Sequence, residues 1–119
     1  MRIAICDDEK NIRELIADKV KKQYPQGDIV FFSSGEELLL SKEQPDILFL
    51  DIQMNGKNGM ETARELRKKD KKVIIFFVTA IEDYVFQAFD VGAFHYLVKP
   101  LDEVKFTEIL CRAVEGWEL

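Results

Sequence analysis

The sequence predicts an α/β fold, a doubly wound parallel sheet of five strands with helices on both faces. Short apolar runs recur along the chain and alternate with longer polar-patterned stretches, in which apolar residues repeat at helical spacing. The runs are continuous, which is typical of strands covered on both faces, as in a parallel sheet. Right-handed crossovers between such strands give a (βα)₅ order and place the ligand site at the carboxyl ends of the strands.

The five predicted strands are the apolar runs themselves. Each is short and is followed by polar residues. In chain order the strands are Ile3 to Cys6, Ile29 to Phe32, Ile47 to Leu50, Val73 to Val78, and Tyr96 to Val98.

Helices are predicted between the strands because apolar residues there fall on one helix face. The first helix is indicated by Ile12, Leu15, Ile16 and Val20, the third by Met60, Ala63 and Leu66, and the last by Phe106, Ile109, Leu110, Ala113 and Val114. The second and fourth are shorter, roughly Gly35 to Ser41 and Tyr84 to Val91, with Ser34 and Asp83 as N-caps.

Length and composition indicate a single domain. The chain has 119 residues, 47% of them hydrophobic, which is enough for one core without metal or disulfide cross-links. We expect one domain over residues 1–119, with no linker or repeat. The net charge of −5 argues against direct nucleic-acid binding, which relies on clustered Lys and Arg. Any DNA-binding function would lie on a segment absent from this chain.

Cysteine placement and hydropathy predict a soluble, cytoplasmic protein. Cys6 falls in a strand and Cys111 on a helix face, without metal-ligand spacing, so both are interpreted as reduced core thiols. No apolar run approaches the ~20 residues of a membrane span. Met1 leads directly into the first strand and leaves no room for a signal peptide.

Side chains able to carry chemistry follow four of the predicted strands. Asp7 and Asp8 follow the first strand, Asp51 the third, Thr79 the fourth and Lys99 the fifth. Because the carboxyl ends of parallel strands meet at one edge of the sheet, we expect these residues to converge.

The three aspartates predict a metal site. Asp7, Asp8 and Asp51 would repel one another at close range unless a cation is present. Carboxylate oxygens with room for water suit Mg²⁺. Alone, Asp7 and Asp8 could simply favour the first turn of a helix. The third carboxylate, at a neighbouring strand end, favours the metal.

Lys99 and Thr79 extend this site toward phosphoryl transfer. Lys99 can hold a phosphoryl oxygen and the Thr79 hydroxyl can donate to another, beside the carboxylate nucleophile of Asp51. Alternatively, Thr79 could cap the fourth helix and Lys99 could be a solvated lysine. The placement of both residues at strand ends beside the aspartates is what favours phosphoryl transfer. The Lys99–Pro100 bond is predicted to be cis and to aim Lys99, with a trans, strand-ending proline as the alternative.

At these positions the chain resembles the receiver domains of bacterial two-component response regulators. The Asp7-Asp8 pair, Asp51, Thr79 and Lys99-Pro100 stand in the family's usual order and spacing. The resemblance covers the whole chain and implies the flavodoxin-like strand order 2-1-3-4-5. It also implies a regulatory module that is not an enzyme and takes its phosphoryl group from a sensor histidine kinase.

The resemblance implies a metal-binding role for four residues. Asp51 would be the phosphorylated aspartate. Asp8 and Asp51 would ligate Mg²⁺ directly, together with the backbone carbonyl of Gln53. Asp7 would assist through water.

It also implies a conformational switch. Thr79 and Lys99 would bind the phosphoryl group, and Tyr96 would turn inward as the Thr79 hydroxyl moves. This motion would change the face formed by the fourth helix, fifth strand and fifth helix, through which a homodimer could also form. The alternative for Tyr96 is a half-buried strand tyrosine without a switching role.

The loop after Asp51 departs from the family pattern. It reads Asn55-Gly56-Lys57-Asn58-Gly59 and lacks the proline common four residues beyond the aspartate, although Asn and Gly can still form the turn. The runs 49–54 and 88–101 resemble the subfamily that carries a LytTR-type DNA-binding domain. The last residues, 117–119, come where the last helix should finish. We therefore favour an excised receiver over a natural single-domain regulator.

Three other features are given structural interpretations. His95, the only histidine, is not expected to act in catalysis. Phe89 is expected in the core, and Phe86 is the candidate for a partner or dimer interface. The basic run 67–72 is interpreted as a solvated helix terminus, where positive charge is favoured.

Three other functions compete with the receiver interpretation. In aspartyl-phosphate phosphatases the nucleophile is the first residue of an Asp-x-Asp motif. Here the residue two beyond Asp51 is Gln53. A flavodoxin-like cofactor binder would have its phosphate repelled by Asp7-Asp8-Glu9. A receiver-like module that only binds partners is disfavoured by the intact acidic set and would be revived by a failure to bind Mg²⁺.

Overall fold

Strands and helices alternate along the chain. The computed structural model describes the backbone of residues 1–118 and the side chains of residues 1–116. The strands are β1 (Arg2–Cys6), β2 (Asp28–Phe32), β3 (Ile47–Leu50), β4 (Ile74–Thr79) and β5 (His95–Val98). The helices are α1 (Lys10–Gln23), α2 (Gly35–Leu40), α3 (Gly59–Lys69), α4 (Val85–Asp90) and α5 (Glu103–Glu118). Leu119, where the chain was expected to end with the last helix, lies outside the described residues.

The strands form one parallel sheet in the order β2-β1-β3-β4-β5. This confirms the predicted (βα)₅ architecture and strand order. The register pairs Cys6 with both Phe32 and Leu50, so β1 and β3 end side by side at the middle of the sheet. Thr79 pairs with Val98 at the corresponding end of β4 and β5.

The sheet is covered on both faces, as its continuous apolar strands predict. Leu48 and Leu50 contribute to the core cluster that includes α2 and α3, whereas Ile47 and Phe49 contribute to the one that includes α1 and α5. On the second face Phe49 stacks on Phe76, with ring centroids 4.8 Å apart. This two-sided burial holds the carboxyl ends of the central strands in fixed positions. None of the described helices is long and apolar enough to span a membrane.

Several predictions about individual side chains were wrong. Leu15 was placed on the buried face of the first helix, but it is 44% exposed because Ile16, Ala17 and Val20 form that face. Cys111 was interpreted as a core thiol, but it is exposed on α5, whereas Cys6 is buried as expected.

The predictions for α4 were also partly wrong. Phe89 was expected in the core and is 75% exposed, because this short helix buries Ala88. The N-cap of α4 is Tyr84 and not Asp83, and it makes no side-chain cap hydrogen bond. Phe86 is 84% exposed, and Ser34 caps α2 by accepting a hydrogen bond from the N–H of Glu37.

The basic run at the end of α3 is only partly solvated. Its lysines are exposed, but Arg67 is half-buried. The Arg67 guanidinium donates to the backbone carbonyls of Val91 (2.6 Å) and Gly92 (3.1 Å), which follow α4. Arg67 therefore ties the end of α3 to the segment between α4 and β5.

A capping box starts α3 directly after the loop that follows Asp51. The N–H of Glu61 donates to the Asn58 side chain at 2.9 Å, and the N–H of Asn58 donates to the Glu61 carboxylate at 3.3 Å. We expect Asn58→Ala to lower the free energy of unfolding by about 1 kcal/mol, because the N–H of Glu61 in the first turn loses its side-chain partner. Urea denaturation checks this. Glu61→Gln, which keeps an acceptor in the box, should cost clearly less, and equal losses would contradict the capping role.

Candidate functional site

Three aspartates meet where β1 and β3 end. One carboxylate oxygen from each of Asp7, Asp8 and Asp51 lies within 4.8 Å of the others. The N–H of Asp51 donates to the carbonyl of Cys6 at 3.0 Å, so Asp51 continues the β1–β3 hydrogen-bond ladder and its position is set by the sheet. Asp7 and Asp51 are 1% and 4% exposed, whereas Asp8 is half-buried. Two of the three carboxylates are therefore removed from water.

Lys99 places its ammonium between the two buried aspartates. Its Nζ lies 3.1 Å from the Asp7 carboxylate and 3.3 Å from that of Asp51. The Lys99–Pro100 peptide bond is cis, as predicted. The Lys99 N–H donates to the carbonyl of Thr79 at 2.8 Å, which positions the Lys99 backbone against the end of β4.

The charges at this site do not balance. Burial raises the pKa of Asp7, and the Asp51 carboxylate adds to this, while the N–H of Glu9 and the Lys99 ammonium oppose it. For Lys99, burial disfavours the ammonium, but Asp51 and Asp7 outweigh burial and raise its pKa. Three carboxylates thus meet beside the Lys99 ammonium and the Arg13 guanidinium, which donates to the Asp7 carbonyl at 2.7 Å, and the surplus negative charge is what a bound cation would compensate.

Thr79 ends β4 and is connected to Tyr96 through Ile81. Thr79 is fully buried, and its Oγ1 accepts a weak hydrogen bond from the Ile81 N–H at 3.5 Å. The Tyr96 hydroxyl donates to the Ile81 carbonyl. The Tyr96 ring is half-buried and lies 6.0 Å from that of Phe77, between ring centroids. The two predicted switch residues therefore contact the same short loop.

The loop after Asp51 turns without a proline. Gly56 supplies the turn with a φ of +77°, a conformation that glycine adopts readily. The Glu36 carboxylate accepts from the N–H of Lys57 at 3.1 Å and fixes the loop to α2. The N–H of Asn55 donates to the Asp8 carboxylate at 3.3 Å. These partners come from distant elements and carry no local sequence signal, so they could not be predicted from the sequence.

A cavity of about 440 Å³ opens beside the aspartates. It is lined by Asp8, Ile52, Gln53, Met54, Asn55, Asn58, Ile81 and Tyr84. Gln53 is exposed there, at the position expected to offer a carbonyl to a metal. The structure thus gathers Asp7, Asp8, Asp51 and Lys99 at one edge of the sheet. Their chemical roles, with those of Gln53, Thr79 and Tyr96, stay predictions.

His95 belongs to a different region. Its Nδ1 accepts from the N–H of Tyr96 at 3.1 Å, and it lines an apolar groove of about 310 Å³ with Phe89 and Phe94. This groove lies between α4 and β5.

The raised pKa of Asp7 predicts a pH dependence of stability in the metal-free protein. A raised folded-state pKa gives stability that is complete below the unfolded value of about 3.9 and is lost as pH rises through the folded value. We therefore expect Asp7→Asn to become progressively more stable relative to wild type as pH rises above about 4. Denaturation in chelator at several pH values checks this, and a constant difference between the two proteins would contradict it. Lys99, whose pKa is also raised, should contribute its full stabilisation below about pH 10 and lose it only as pH rises above that value.

Curated relatives share the sequence over most of this chain. The chain is 34% identical over 112 residues to the sensory transduction protein LytT of Bacillus subtilis, covering 92% of this chain and 46% of that protein. It is 38% identical over 113 residues to LytT of Oceanobacillus iheyensis, covering 89% and 45%. The chain thus spans about half the length of the curated relatives it matches.

Solved structures share the fold. The response regulatory domain of mrkE from Klebsiella pneumoniae superposes with a TM-score of 0.92 at 28% identity, covering 99% of this chain and 98% of that one. The response regulator TrrA from Thermotoga maritima, solved in complex with Mg²⁺-BeF, gives 0.83 at 33% identity, covering 94% and 97%. The family model described as the response regulator receiver domain matches residues 3–111. The chain therefore belongs to the response regulator receiver domain family.

Proposed function

We propose that residues 1–119 form a phosphoacceptor module that takes a phosphoryl group from a histidine kinase onto Asp51. The carrying observation is the placement of Asp51. Its buried carboxylate lies 3.3 Å from the Lys99 ammonium and beside Asp7 and Asp8. Asp51 is therefore a candidate nucleophile with a positive charge next to it.

The transfer is a displacement at phosphorus. A carboxylate oxygen of Asp51 attacks the phosphorus of the kinase phosphohistidine, the P–N bond breaks, and the histidine nitrogen leaves with its electron pair and is protonated. Lys99 donates to one phosphoryl oxygen and the Thr79 hydroxyl donates to another. These two hydrogen bonds stabilise the negative charge on the phosphoryl oxygens in the transition state. The product on this chain is an acyl phosphate at Asp51.

The residues present suit Mg²⁺. Three carboxylates lie within 4.8 Å of one another, two are buried, and Asp8 opens onto the cavity, where water can complete the coordination. Asp8, Asp51 and the backbone carbonyl of Gln53 would hold the ion, with Asp7 acting through water. When bound, Mg²⁺ would supply positive charge to the phosphoryl oxygens.

Phosphorylation would switch the surface formed by α4, β5 and α5. The acyl phosphate draws the Thr79 hydroxyl toward it, and Ile81 passes the change to Tyr96 through the two hydrogen bonds that it makes. Couplings of this kind are typically ~1–3 kcal/mol. The exposed Phe86 and Phe89 on α4 suit this surface to a partner or to a second copy in a homodimer.

We further propose a transcriptional output through a DNA-binding domain of the LytTR type. Its support is the similarity to proteins named LytT, which are about twice as long as this chain. The receiver itself, with a net charge of −5, would not contact nucleic acid. It would meet its kinase in the cytoplasm.

Acetyl phosphate tests the proposal without knowledge of the kinase. We expect wild type, incubated with acetyl phosphate and Mg²⁺, to gain the mass of one phosphoryl group, and Asp51→Asn to gain none. Beryllofluoride with Mg²⁺ should shift the NMR signals of Thr79 and Tyr96 in wild type alone. If neither reagent acts on wild type, the chain is a partner-binding module that works without phosphorylation.

A further inference from the structure

Asp8 joins the acidic cluster to a cavity that is open to solvent. Asp7 and Asp51 are nearly inaccessible and Thr79 is fully buried, so the half-buried Asp8 is the member of the acidic cluster that opens outward. Asp8 lines the cavity of about 440 Å³, which is large enough for water and for a small phosphate compound. A small molecule that approaches the acidic cluster from the side of Asp8 therefore passes the walls of this cavity.

Tyr84, at the start of α4, forms part of the wall of this cavity. It lies at the N-cap of α4 without a side-chain cap hydrogen bond, so its side chain has no role in starting the helix. Its side chain is half-buried and packs against the core cluster that includes Phe77 and Ala88. It lines the same cavity as Asp8, Gln53 and Ile81. Tyr84 is the aromatic side chain among the lining residues.

The loop that carries Tyr84 is attached to both predicted switch residues. Ile81, three residues earlier, donates through its N–H to Thr79 and accepts from the Tyr96 hydroxyl. Burial raises the pKa of Tyr96, and the neighbouring backbone of Tyr84 opposes this rise. A change at Thr79 or Tyr96 would therefore move the Tyr84 wall.

We propose that Tyr84 is a specificity-determining residue, whose ring limits the approach of water and small phosphodonors to Asp51. This inference rests on the proposed function. In phosphoryl loss, a water oxygen attacks phosphorus, the P–O bond to Asp51 breaks, the carboxylate leaves, and inorganic phosphate carries the proton away. With acetyl phosphate, Asp51 attacks and acetate leaves. Both reactions require the small molecule to pass the wall to which Tyr84 contributes, whereas the bulk of a kinase remains outside.

The test compares Tyr84→Ala, Tyr84→Phe and wild type by intact mass. Each protein is labelled with acetyl phosphate and Mg²⁺, the donor is removed, and loss of the phosphoryl mass is followed. We expect Tyr84→Ala to lose and to gain the phosphoryl group about fivefold faster, which corresponds to about 1 kcal/mol in each barrier. Tyr84→Phe should match wild type because it keeps the ring. Leu40→Ala, which truncates an 83% exposed apolar side chain on α2 that does not line the cavity, is the control and should leave both rates unchanged.

Several outcomes would overturn the inference. One is an unchanged rate in Tyr84→Ala together with a lowered Tm, which indicates a structural role only. Another is a faster loss accompanied by weaker Mg²⁺ binding in calorimetry, which places the effect at the metal site. Equal acceleration in Tyr84→Phe would assign it to the hydroxyl. Tyr84→Leu, which keeps apolar bulk, replaces the alanine variant if that one does not fold, and should accelerate both rates by less. A wild type that takes no phosphoryl group would refute the proposed function itself.

Discussion

Gly59→Ala is expected to lower the free energy of unfolding by about 3 kcal/mol and the Tm by about 10 to 15 °C. A methyl group on Gly59 would overlap the carbonyl oxygen of Asp51 and lie 2.8 Å from its carbonyl carbon and 2.9 Å from the Cα of Ile52. These are backbone atoms held by the sheet, so they cannot rotate away as a side chain could. The N–H of Gly59 also donates to the Ile52 carbonyl at 2.9 Å, which locks the start of α3 onto this segment. Urea and thermal denaturation measure the loss.

The same substitution should weaken the site, because relief of the overlap displaces the backbone of Asp51. We expect poorer labelling by acetyl phosphate even at temperatures where the variant is folded. Gly116→Ala is the control, since nothing lies within 4 Å of its added methyl group on α5. It should be neutral or stabilising by up to about 1 kcal/mol. A Gly59→Ala protein as stable as Gly116→Ala would show that α3 does not rest on Asp51 as closely as described.

The centre of the sheet and the residues at its carboxyl edge were predictable from the sequence. A strand buried on both faces requires a continuous apolar run, and the predicted run Ile47 to Leu50 matches β3 at both ends. Because the sheet is parallel, the residue that follows each strand has to lie at this edge. Asp7, Asp51 and Lys99 could therefore be placed together without knowledge of side-chain conformations.

The outer layer was less predictable, because helical periodicity gives the direction of a buried face and not its width. Leu15 follows the apolar repeat of α1, yet neighbouring residues already fill the contact with the sheet. Phe89 is exposed because six residues of α4 leave room to bury little more than Ala88. Arg67 donates to carbonyls 24 and 25 residues further along the chain, a contact set by tertiary structure alone.

Lys99→Met is expected to destabilise the metal-free protein by about 3 kcal/mol at pH 7 and to slow phosphorylation by acetyl phosphate about a hundredfold. The Lys99 side chain is 17% exposed and supplies the ammonium between Asp7 and Asp51. Methionine keeps much of the apolar stem and removes the charge, which leaves two buried carboxylates facing each other. Denaturation in chelator measures the first effect, and intact mass measures the second.

Two further measurements separate the loss of charge from the loss of packing. Millimolar Mg²⁺ should restore part of the stability of Lys99→Met, since a cation that binds only the folded state stabilises it. In an Asp7→Asn background the same substitution should cost markedly less, because one of the two carboxylates is then neutral. Lys71→Met, at an exposed lysine, should change neither stability nor labelling. If Lys99→Met costs the same with Mg²⁺ and with Asp7→Asn as it does alone, its effect comes from packing, and the ammonium does not balance the aspartates.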